Sequence, residues 1–459
     1  MMNLLRILDA AWEPTWAHLH SGPGEHFAFL LARCHRAGEA RLLIAEDTEL
    51  IRDEEVTFTG EEWVVCTSAL LRAINRAHAT GRCLIEVHNH GGENPRFSRF
   101  DRVGLAEVVP YMLDSLQERS YAALVTGDHE VYGEIFDRSG RHRVDRITVT
   151  GRSLKSLHTE QRPYTVEVVD FDRQLRWLTP KGQRDLGRLR FVIGGAGGTG
   201  SHAAMGLAYL GARHFVLIDG DLADPTSLHR LATAHAKDSG QSKVSLAAAA
   251  IRAIAPSAEV LVIQAPIQDP RALVEAKMAD VLVGCFDNDG ARVIWNELAV
   301  GYRIPLLDFG VGIRVNEAEQ PQEAGGRIAW VLPGGPCLRC MRQIDRHEAQ
   351  QMLRRESERK VQKALGYIDG LRVPEVAVYA LNAAVVNMGL TELTLWLAGV
   401  RAPVTFLEYD VLGRVRAAPA QWVSPVNYAA DPHCVVCAYA GAGDDLCLES
   451  RYGEHPHAA

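Results

Sequence analysis

The chain has 459 residues, of which 47% are hydrophobic and 23% charged, enough for two or three globular domains. A formal net charge of −8 at pH 7 argues against a nucleic-acid-binding surface, and no apolar run approaches the roughly 18 residues that span a membrane. The apolar N-terminus has no basic segment followed by a cleavage site, so we expect a cytoplasmic protein without a secretory signal.

The first motif in chain order is HNHGGENPRFSRFD at 88–101. The apolar, β-prone CLIEV before it predicts a strand that ends near His88 and His90, with both imidazoles on one face because alternate strand residues point the same way. The segment after Ser98 has apolar residues at helical spacing, which places Asp101 near the first turn of a helix. Two imidazoles, one carboxylate and an open fourth position are typical of a catalytic zinc site that activates water.

The spacing His-x-His, seven residues, Ser, two residues, Asp resembles the motif of the JAMM (JAB/MPN) metalloprotease family. The proline that usually follows the second histidine in the family is Gly91 here. The resemblance implies a mixed α+β domain with a peptidase or isopeptidase activity. It also implies roles for four side chains: zinc ligation by His88, His90 and Asp101, and stabilisation of the oxyanion by Ser98.

The JAMM family also needs an upstream glutamate as general acid/base. Bacterial members often carry it in a Pro-x-Glu context before an apolar strand, and PGEHFAFLLA supplies Pro23 and Glu25 in that setting. We therefore select Glu25. Glu39 and Glu46 are weaker candidates because they fall around the next predicted strand.

A polar, basic stretch between about residues 140 and 172 separates two differently patterned regions. Before it, strands and helices are mixed; after it, they alternate regularly. The alternation begins at RFVIGGAGGTGSHAAMGLAYLGARHFVLIDGD, in which an apolar strand leads into a glycine-rich turn and then a helix. Such a turn brings backbone amides and a helix N-terminus to a phosphate. The predicted phosphate-binding glycines are Gly195, Gly197, Gly198 and Gly200.

Further polar residues distinguish this region from a plain dinucleotide-binding dehydrogenase, which would have one acidic residue after its second strand. Here the second strand ends at Asp219-Gly-Asp221, and Arg230 and Lys243 follow. In GCFDNDGARVIWNELAV, Asp287 ends another predicted strand, with Arg292 and Asn296 on the next helix. The cations suit nucleotide phosphates, and the carboxylates suit a ribose and Mg²⁺.

This ordered set, over roughly residues 170 to 440, resembles the ThiF/MoeB family, the adenylating domain of ubiquitin-activating enzymes. The resemblance implies a Rossmann-like, doubly wound fold that binds Mg-ATP. It assigns the ribose contact to Asp219 and phosphate contacts to Arg230 and Lys243. It assigns Mg-ATP coordination to Asp287, and Asp221 also belongs to the predicted nucleotide site.

The segment DRQLRWLTPKGQRDL is similar to the N-terminal part of ThiF/MoeB domains, where an arginine reaches the nucleotide of the partner subunit. The resemblance implies this role for Arg173, and a homodimer. The chain departs from the family in Thr-Ser-Leu-His-Arg-Leu, where Ser227 and His229 replace two asparagines. The imidazole of His229 could replace the lost contact to ATP or lie in water.

Nine cysteines, four of them in CLRC and CVVC, indicate metal binding in a reducing compartment rather than disulfides. Four thiolates in two Cys-x-x-Cys pairs predict a closed, structural zinc site. Its predicted ligands are Cys337, Cys340, Cys434 and Cys437.

Thioester-forming members of the ThiF/MoeB family carry a nucleophilic cysteine after the first zinc pair, but this chain has no cysteine from 341 to 433. Cys285 lies at the end of a buried-looking strand, and Cys447 lies beyond the zinc ligands. We therefore expect adenylation without an internal thioester. A hydroxyl acceptor such as Ser357 in the 341–373 segment, a separate cysteine carrier and a sulfur donor remain alternatives.

The predicted domains are a JAMM domain at 1–150, a linker at 151–170, an adenylation domain at 171–445 and a tail at 446–459. Both resemblances imply one partner, a ubiquitin-like protein with a glycine-rich C-terminus in a bacterial pathway. The zinc site would trim or deconjugate this protein, and the adenylation domain would use ATP to activate its C-terminal carboxylate. One alternative is sulfur-carrier activation for cofactor, amino-acid or siderophore synthesis. Another is a scaffold with a degenerate protease half. The sequence leaves open the final acceptor, a separate conjugating enzyme or sulfur donor, and the order of the two reactions.

Overall fold

The computed structural model describes residues 2–59, 63–117, 119–157, 168–318, 320–353, 376–412 and 422–446. The chain divides into two compact units, Met1–Glu167 and Val168–Ala459. Ser357 and Cys447 lie outside the described residues, as does most of the predicted tail. In the part of the chain that is described, no helix has both the length and the apolar character needed to cross a membrane.

The first unit is built on a mixed β-sheet. Its strands in chain order are β1 (Asn3–Leu8), β2 (Phe27–Ala37), β3 (Ala40–Leu50), β4 (Val56–Phe58), β5 (Trp63–Val65), β6 (Cys83–Asn89), β7 (Tyr121–Thr126), β8 (Val131–Asp137), β9 (Gly140–Arg143), β10 (Arg146–Thr150) and β11 (Leu154–Ser156). The large sheet has the order β11–β10–β1–β3–β2–β6–β7–β8–β9, and β4 pairs with β5 separately.

Both faces of the large sheet in the first unit are buried. Along β2, Leu30 and Ala32 belong to one apolar cluster, whereas Phe29 and Leu31 belong to another. This follows from the two-residue repeat of a strand, which sends successive apolar side chains to opposite faces. The helices of the unit are α1 (Asp9–Leu19), α2 (Thr67–Thr80) and α3 (Arg99–Ser115).

The first unit extends past the predicted boundary at residue 150. β11 lies within the segment 151–170 that the sequence suggested as a linker, and it pairs antiparallel with β10, with Val149 opposite Lys155. β11 is an edge strand, so one side of its backbone is unpaired, although Leu154 and Ser156 are buried.

The second unit alternates strands and helices, as the sequence predicts. Its strands are β12 (Arg190–Gly194), β13 (His214–Ile218), β14 (Glu259–Ile263), β15 (Val281–Gly284), β16 (Leu306–Val315), β17 (Pro321–Val331), β18 (Phe406–Asp410) and β19 (Trp422–Pro425). Its helices are α4 (Val168–Arg188), α5 (Gly198–Leu210), α6 (Lys243–Ile254), α7 (Pro270–Lys277), α8 (Asp289–Gly301), α9 (Arg346–Leu353) and α10 (Tyr379–Leu397).

The sheet of the second unit has the order β14–β13–β12–β15–β16–β17–β18–β19. The first five strands in this order, β14, β13, β12, β15 and β16, run parallel to one another. β17, β18 and β19 then extend the sheet, each antiparallel to its neighbour. The chain runs outward from β12 to β14 on one side and returns to β15 on the other, so the strand order reverses between β12 and β15. Ligands of open α/β sheets bind at the carboxyl ends of the strands beside such a reversal. The predicted doubly wound fold is confirmed for this unit.

Candidate functional site

A cavity of about 1190 Å³ opens at the reversal in the second unit, at the carboxyl ends of β12, β13 and β15. Eight predicted nucleotide-binding residues line it: Gly195, Gly197, Gly198, Asp219, Asp221, Arg230, Lys243 and Asp287. These residues come from five separate places in the sequence, at 195–198, 219–221, 230, 243 and 287. Parallel strands bring them together because their carboxyl ends all meet at one edge of the sheet.

The glycine-rich turn between β12 and α5 is tied to the end of β13 through Asp219. One carboxylate oxygen of Asp219 accepts a 2.6 Å hydrogen bond from the backbone N–H of Ala196, and the other accepts a 2.8 Å bond from that of Asp221. Burial raises the pKa of the Asp219 carboxyl group. Each carboxylate oxygen can accept a further bond, so the predicted contact with a ribose remains possible.

Gly200 does not line the cavity, in contrast to the other predicted glycines. A Cβ atom at this position would lie 1.9 Å from the carbonyl oxygen of Gly195. Gly195 itself has a φ of +85°, a left-handed conformation that favours glycine. Gly200 therefore allows α5 to pack closely against the turn and does not face a nucleotide.

Two cations lie on the β13 side of the cavity. Arg230 ends a short 3₁₀ turn, Leu228–Arg230, and Lys243 begins α6. The Lys243 side chain is mostly buried, and its Nζ lies 2.8 Å from Oδ2 of Asp221. A phosphate entering the cavity would find a lysine that is already held in place by a carboxylate.

Asp287 follows β15 and is exposed in the cavity. The next residue, Asn288, caps α8 by accepting a 2.9 Å hydrogen bond from the backbone N–H of Ala291. Arg292, one turn further along α8, also lines the cavity and forms a 2.7 Å ion pair with Asp289. The start of α8 therefore presents carboxylates and an arginine to the cavity.

Several residues that the sequence suggested lie elsewhere in the second unit. Arg173 is exposed on α4 and does not line the cavity, and its contact across a dimer stays a prediction. His229 is exposed, and Ser227 stabilises its own turn through a bond from its hydroxyl to the carbonyl of Asp224. Asn296 faces away from the cavity and accepts a 2.8 Å hydrogen bond from the backbone N–H of Leu338.

Two charged residues near the cavity, Asp308 on β16 and Arg327 on β17, were not among the residues predicted from the sequence. The Asp308 side chain is fully buried and forms a 2.9 Å ion pair with Arg327, which lines the cavity. A usable signal was present, since each charge interrupts an apolar strand, in LLDFG and in GGRIAWV. Buried charges inside strands are rare unless they are paired or functional.

In the first unit, the structure brings together the predicted metal ligands His88, His90 and Asp101, whose ligand atoms lie within 4.8 Å of one another. His88 lies on β6, and His90 follows that strand. Asp101 lies in the first turn of α3, as predicted, because Ser98 caps this helix through a 3.1 Å bond from the Asp101 N–H to its hydroxyl oxygen.

Glu25 precedes β2 and lies beside this cluster. Its carboxylate is 3.6 Å from Nε2 of His90, which is also 3.2 Å from Asp101. Burial raises the pKa of Glu25 even though both histidines lower it. Neither ring nitrogen of His88 has a hydrogen-bond partner among the described residues, although both are buried. Nε2 of His88 lies 3.5 Å from the Asp101 carboxylate. The donor set, with one free ring nitrogen of His88 directed at Asp101, fits a bound zinc ion.

Residues 171–421 match the model of the ThiF family, and this range is 251 of the 459 residues. The chain belongs to the ThiF family.

Curated relatives of this ThiF-family chain include the SAMP-activating enzyme E1 of Haloferax volcanii, which is 29% identical over 182 residues, 39% of this chain and 64% of that protein. The adenylyltransferase and sulfurtransferase uba4 of Emericella nidulans is 29% identical over 224 residues, 46% of this chain and 44% of that protein. The chain thus spans less than two thirds of the length of these relatives. Among solved structures, E. coli MccB with ATP is similar at a TM-score of 0.45 and 20% identity, over 60% of this chain and 76% of that one.

The four cysteines predicted as zinc ligands converge in the second unit of this ThiF-family chain. The sulfur atoms of Cys337 and Cys434 lie 3.7 Å apart, as do those of Cys340 and Cys437, and Cys337 and Cys340 are 3.8 Å apart. A tetrahedron with metal–sulfur distances of about 2.3 Å has edges of roughly 3.8 Å. The cluster therefore has the size of a four-cysteine zinc site, and all four positions are protein ligands.

Cys285 is buried at the end of β15, and burial raises the pKa of its thiol to about 12. A thiol with such a pKa is almost entirely protonated at neutral pH and is a weak nucleophile. The prediction that Cys285 ends a buried strand is confirmed.

Proposed function

We propose that the second unit adenylates the C-terminal carboxylate of a ubiquitin-like protein with a glycine-rich tail. The observation that carries the proposal is the cavity that joins the glycine-rich turn, two cations and the carboxylates after β13 and β15. This combination suits a nucleoside triphosphate better than a dinucleotide, because Arg230 and Lys243 would offset the charge of a triphosphate. The names of the two relatives, an activating enzyme and an adenylyltransferase, support the same reaction.

In the proposed reaction, a carboxylate oxygen of the polypeptide attacks the α-phosphorus of ATP, and pyrophosphate leaves. The turn amides and the N-terminus of α5 hold the phosphates, since helix N-termini bind anions. Lys243 exchanges part of its contact with Asp221 for a phosphate oxygen, and Asp219 accepts hydrogen bonds from the ribose. Asp287 would hold a Mg²⁺ ion, which neutralises phosphate charge when bound.

The acyl adenylate would then leave the protein without an internal thioester. Cys285 is buried and protonated, and the sequence has no cysteine from 341 to 433. We infer that a separate cysteine carrier or a sulfur donor receives the acyl group. The second name of the uba4 relative, sulfurtransferase, supports a sulfur-transfer route as the alternative to protein conjugation. A hydroxyl such as that of Ser357 remains a further candidate acceptor.

For the first unit we propose a zinc-dependent peptidase or isopeptidase that trims or deconjugates the same ubiquitin-like protein. The supporting observation is the convergence of His88, His90 and Asp101, with Glu25 beside them. A zinc ion held by these three side chains would supply Lewis-acid chemistry. Glu25 would move a proton from the attacking water to the leaving amine, because its carboxylate lies next to the cluster. The hydroxyl of Ser98 can donate to the oxyanion while its oxygen caps α3.

The assembly is also part of the proposal. By the resemblance to ThiF/MoeB domains, Arg173 would reach the nucleotide of a partner subunit in a homodimer. Its exposure on α4 leaves it accessible for such a contact. Covalent fusion of two enzymes that act on one tail raises the effective concentration of each site for that tail.

The test is ATP–pyrophosphate exchange with each small protein of the source genome that has a β-grasp sequence and a Gly-Gly motif near its C-terminus. Each protein is supplied as precursor and as a form truncated after the second glycine. We compare wild type with Asp287→Ala, and with Glu317→Ala as a matched control on an exposed turn of the same unit. We expect Asp287→Ala to abolish the exchange and Glu317→Ala to preserve it.

The same assay with Glu25→Ala orders the two reactions. If Glu25→Ala abolishes exchange with the precursor but not with the truncated form, then cleavage precedes activation. If exchange does not depend on Glu25, the first unit acts downstream as a deconjugating enzyme. Absence of exchange with every truncated tail would overturn the adenylation proposal. Mass spectrometry of the tail after addition of a sulfide donor separates the two routes, because only sulfur transfer leaves a thiocarboxylate.

A further inference from the structure

Arg327 reaches the cavity because of the residue opposite it on the neighbouring strand. It pairs in register with Gly310 of β16, and a Cβ atom at Gly310 would lie 2.7 Å from Nε of Arg327. The arginine side chain thus folds across the strand in the space that the glycine leaves open. Both residues line the cavity, and Nη1 of Arg327 donates a 2.9 Å hydrogen bond to Asp308.

Arg292, the other arginine beside Asp308, lies within ion-pair distance of two carboxylates, Asp289 and Asp308. It donates to Asp289 at 2.7 Å and to the carbonyl of Phe286 at 2.6 Å, and its Nε lies 3.6 Å from Asp308. Burial lowers the pKa of Arg292, but Asp308 and Asp289 outweigh this effect and the pKa is raised. Its positive charge is therefore compensated within the protein.

Arg327 is less well compensated than Arg292. Among the described residues, its ion pair is with Asp308 alone. Burial lowers the pKa of Arg327, and Asp308 does not offset this. A guanidinium stays charged at physiological pH, so the lowered pKa reflects a buried positive charge that an additional anion would stabilise.

The position of Arg327 indicates which anion this is. The phosphate-binding turn and Lys243 lie at the carboxyl ends of β12 and β13, whereas Arg327 lies on β17, two strands beyond β15. In phosphoryl and nucleotidyl transfer, the attacking oxygen approaches the phosphorus opposite the leaving group. The side away from the phosphate ligands is therefore where an attacking carboxylate would enter.

The cavity also continues along this antiparallel part of the sheet. There it is lined by Gly312 of β16, by Gly325 and Gly326 of β17, and by Tyr428 after β19. Only Gly312 of these three glycines leaves open space, since a Cβ atom there would meet no atom within 4 Å, whereas at Gly325 and Gly326 it would collide with the protein itself. The open face of β16 at Gly312 suits the backbone of an extended, narrow polypeptide tail that ends near Arg327.

We propose that Arg327, oriented by Asp308, binds the C-terminal carboxylate of the polypeptide substrate and so selects a free acid for adenylation. This inference rests on the proposed adenylation, and it deepens it by naming the residue that recognises the acyl group. The planar guanidinium can hold a carboxylate through two parallel hydrogen bonds, which fixes its direction as well as its position.

The test changes the arginine and the carboxylate in turn. The probes are the Gly-Gly-terminated protein that supports exchange and the same protein with a C-terminal amide. Dissociation constants are measured with a non-hydrolysable ATP analogue bound, for wild type, Arg327→Gln and Arg327→Lys. Arg271→Gln is the matched control, because Arg271 is an exposed arginine paired with Asp269 at 2.9 Å and does not line the cavity.

We expect wild type and Arg271→Gln to prefer the acid over the amide by about 10- to 100-fold. Arg327→Gln should bind both probes equally, with the affinity that wild type has for the amide. Arg327→Lys should keep part of the preference for the acid over the amide. If the glutamine variant does not fold, the lysine variant tests the inference in its place. The affinity for the ATP analogue should not change in any variant.

Two results would overturn the inference while leaving the proposed function intact. One is that Arg327→Gln retains the full preference for the acid. The other is that it weakens binding of the ATP analogue and leaves the preference unchanged, which would assign Arg327 to the nucleotide. Failure of the proposed function looks different, since wild type would then bind the analogue without exchange for any Gly-Gly tail.

Discussion

The side-chain oxygen of Asn296 accepts a 2.8 Å hydrogen bond from the backbone N–H of Leu338, and both residues are buried. Asn296 lies on α8, the helix whose first turns line the cavity of the second unit, and Leu338 lies between Cys337 and Cys340. This bond joins the proposed zinc site to the helix that positions Arg292. A metal bound by the four cysteines would therefore influence the cavity proposed to bind ATP, although it has no open position for catalysis.

We expect Asn296→Ala to lower the free energy of unfolding by about 1–3 kcal/mol, because it leaves the buried N–H of Leu338 without an acceptor. Urea unfolding measures this change, and release of zinc to a chromogenic chelator should be faster. Asn387→Ala is the control, since Asn387 is exposed on α10. If both variants have the same stability as wild type, the bond does not link the two regions.

Loss of a cysteine ligand should destabilise the second unit strongly. In Cys340→Ser, the remaining three thiolates no longer complete the tetrahedron, and binding of structural zinc contributes directly to folding. We expect the metal content, measured by plasma mass spectrometry, to fall by one zinc per chain, and the midpoint of thermal unfolding to fall with it. A Cys66→Ser variant controls for loss of a thiol, because Cys66 lies in the first unit. An unchanged zinc content in Cys340→Ser would exclude the four-cysteine site.

Gly200→Ala should disrupt the glycine-rich turn. The added Cβ would lie 1.9 Å from the Gly195 carbonyl oxygen, so α5 or the turn must move. Overpacking of this kind costs about 1–3 kcal/mol. At Gly197, by contrast, a Cβ would meet no atom within 4 Å, so Gly197→Ala should retain wild-type stability. Differential scanning calorimetry compares the two variants, and equal unfolding temperatures would contradict the close packing.

Two cysteines should differ sharply in their reaction with iodoacetamide. The hydrogen bond from Cys83 lowers the pKa of the exposed Cys34 thiol to about 7, whereas burial raises that of Cys285 to about 12. The thiolate is the reactive form, and its fraction rises as pH rises through the pKa. The alkylation rate of Cys34 should therefore increase between about pH 6 and 8, while Cys285 stays unmodified. Peptide mapping by mass spectrometry follows each site, and Cys83→Ala, which removes the donor, should move the Cys34 profile to higher pH.

Ser98 combines a structural role with the proposed catalytic one, and two variants separate them. Ser98→Ala removes the cap of α3 and should lower the free energy of unfolding by about 1 kcal/mol. It should also abolish hydrolysis of the ubiquitin-like precursor. Aspartate is an equally good capping residue, and its ionised carboxylate has no hydrogen-bond donor, so Ser98→Asp should restore the unfolding temperature but not hydrolysis. Full hydrolysis by Ser98→Asp would mean that the hydroxyl does not stabilise the oxyanion.

Local patterns in the sequence predicted much of the second unit. The alternation of strands and helices indicated a doubly wound sheet, and eight predicted nucleotide-binding residues line one cavity. The same patterns predicted the strand before His88, the helix that begins after Ser98 and the convergence of two Cys-x-x-Cys pairs. Each of these features depends on residues a few positions apart, or on motifs whose residue types are restricted by their chemistry.

The sequence was less informative where one glycine or one charge depends on distant partners. Gly200 has the same residue type as Gly197, and only the packing of α5 on the turn shows that it faces the protein interior. Asn296 belongs to the same motif as Arg292, but the direction of its side chain on α8 places it against Leu338. Residues 151–157 were predicted as part of a linker, but three of them, Leu154–Ser156, form the edge strand β11, which depends on pairing with the distant strand β10.

The sequence by itself determined the strand–helix pattern, the glycine-rich turn and the sets of metal-ligand residues, because these depend on short spacings along the chain. Only the tertiary structure decided that Asp308 and Arg327, 19 positions apart, form a buried ion pair at the cavity. It also decided that Glu25 lies 3.6 Å from His90, although 65 positions separate them. The reason is physical: the order and register of strands in a sheet determine which distant residues meet, and burial determines how strongly their charges interact.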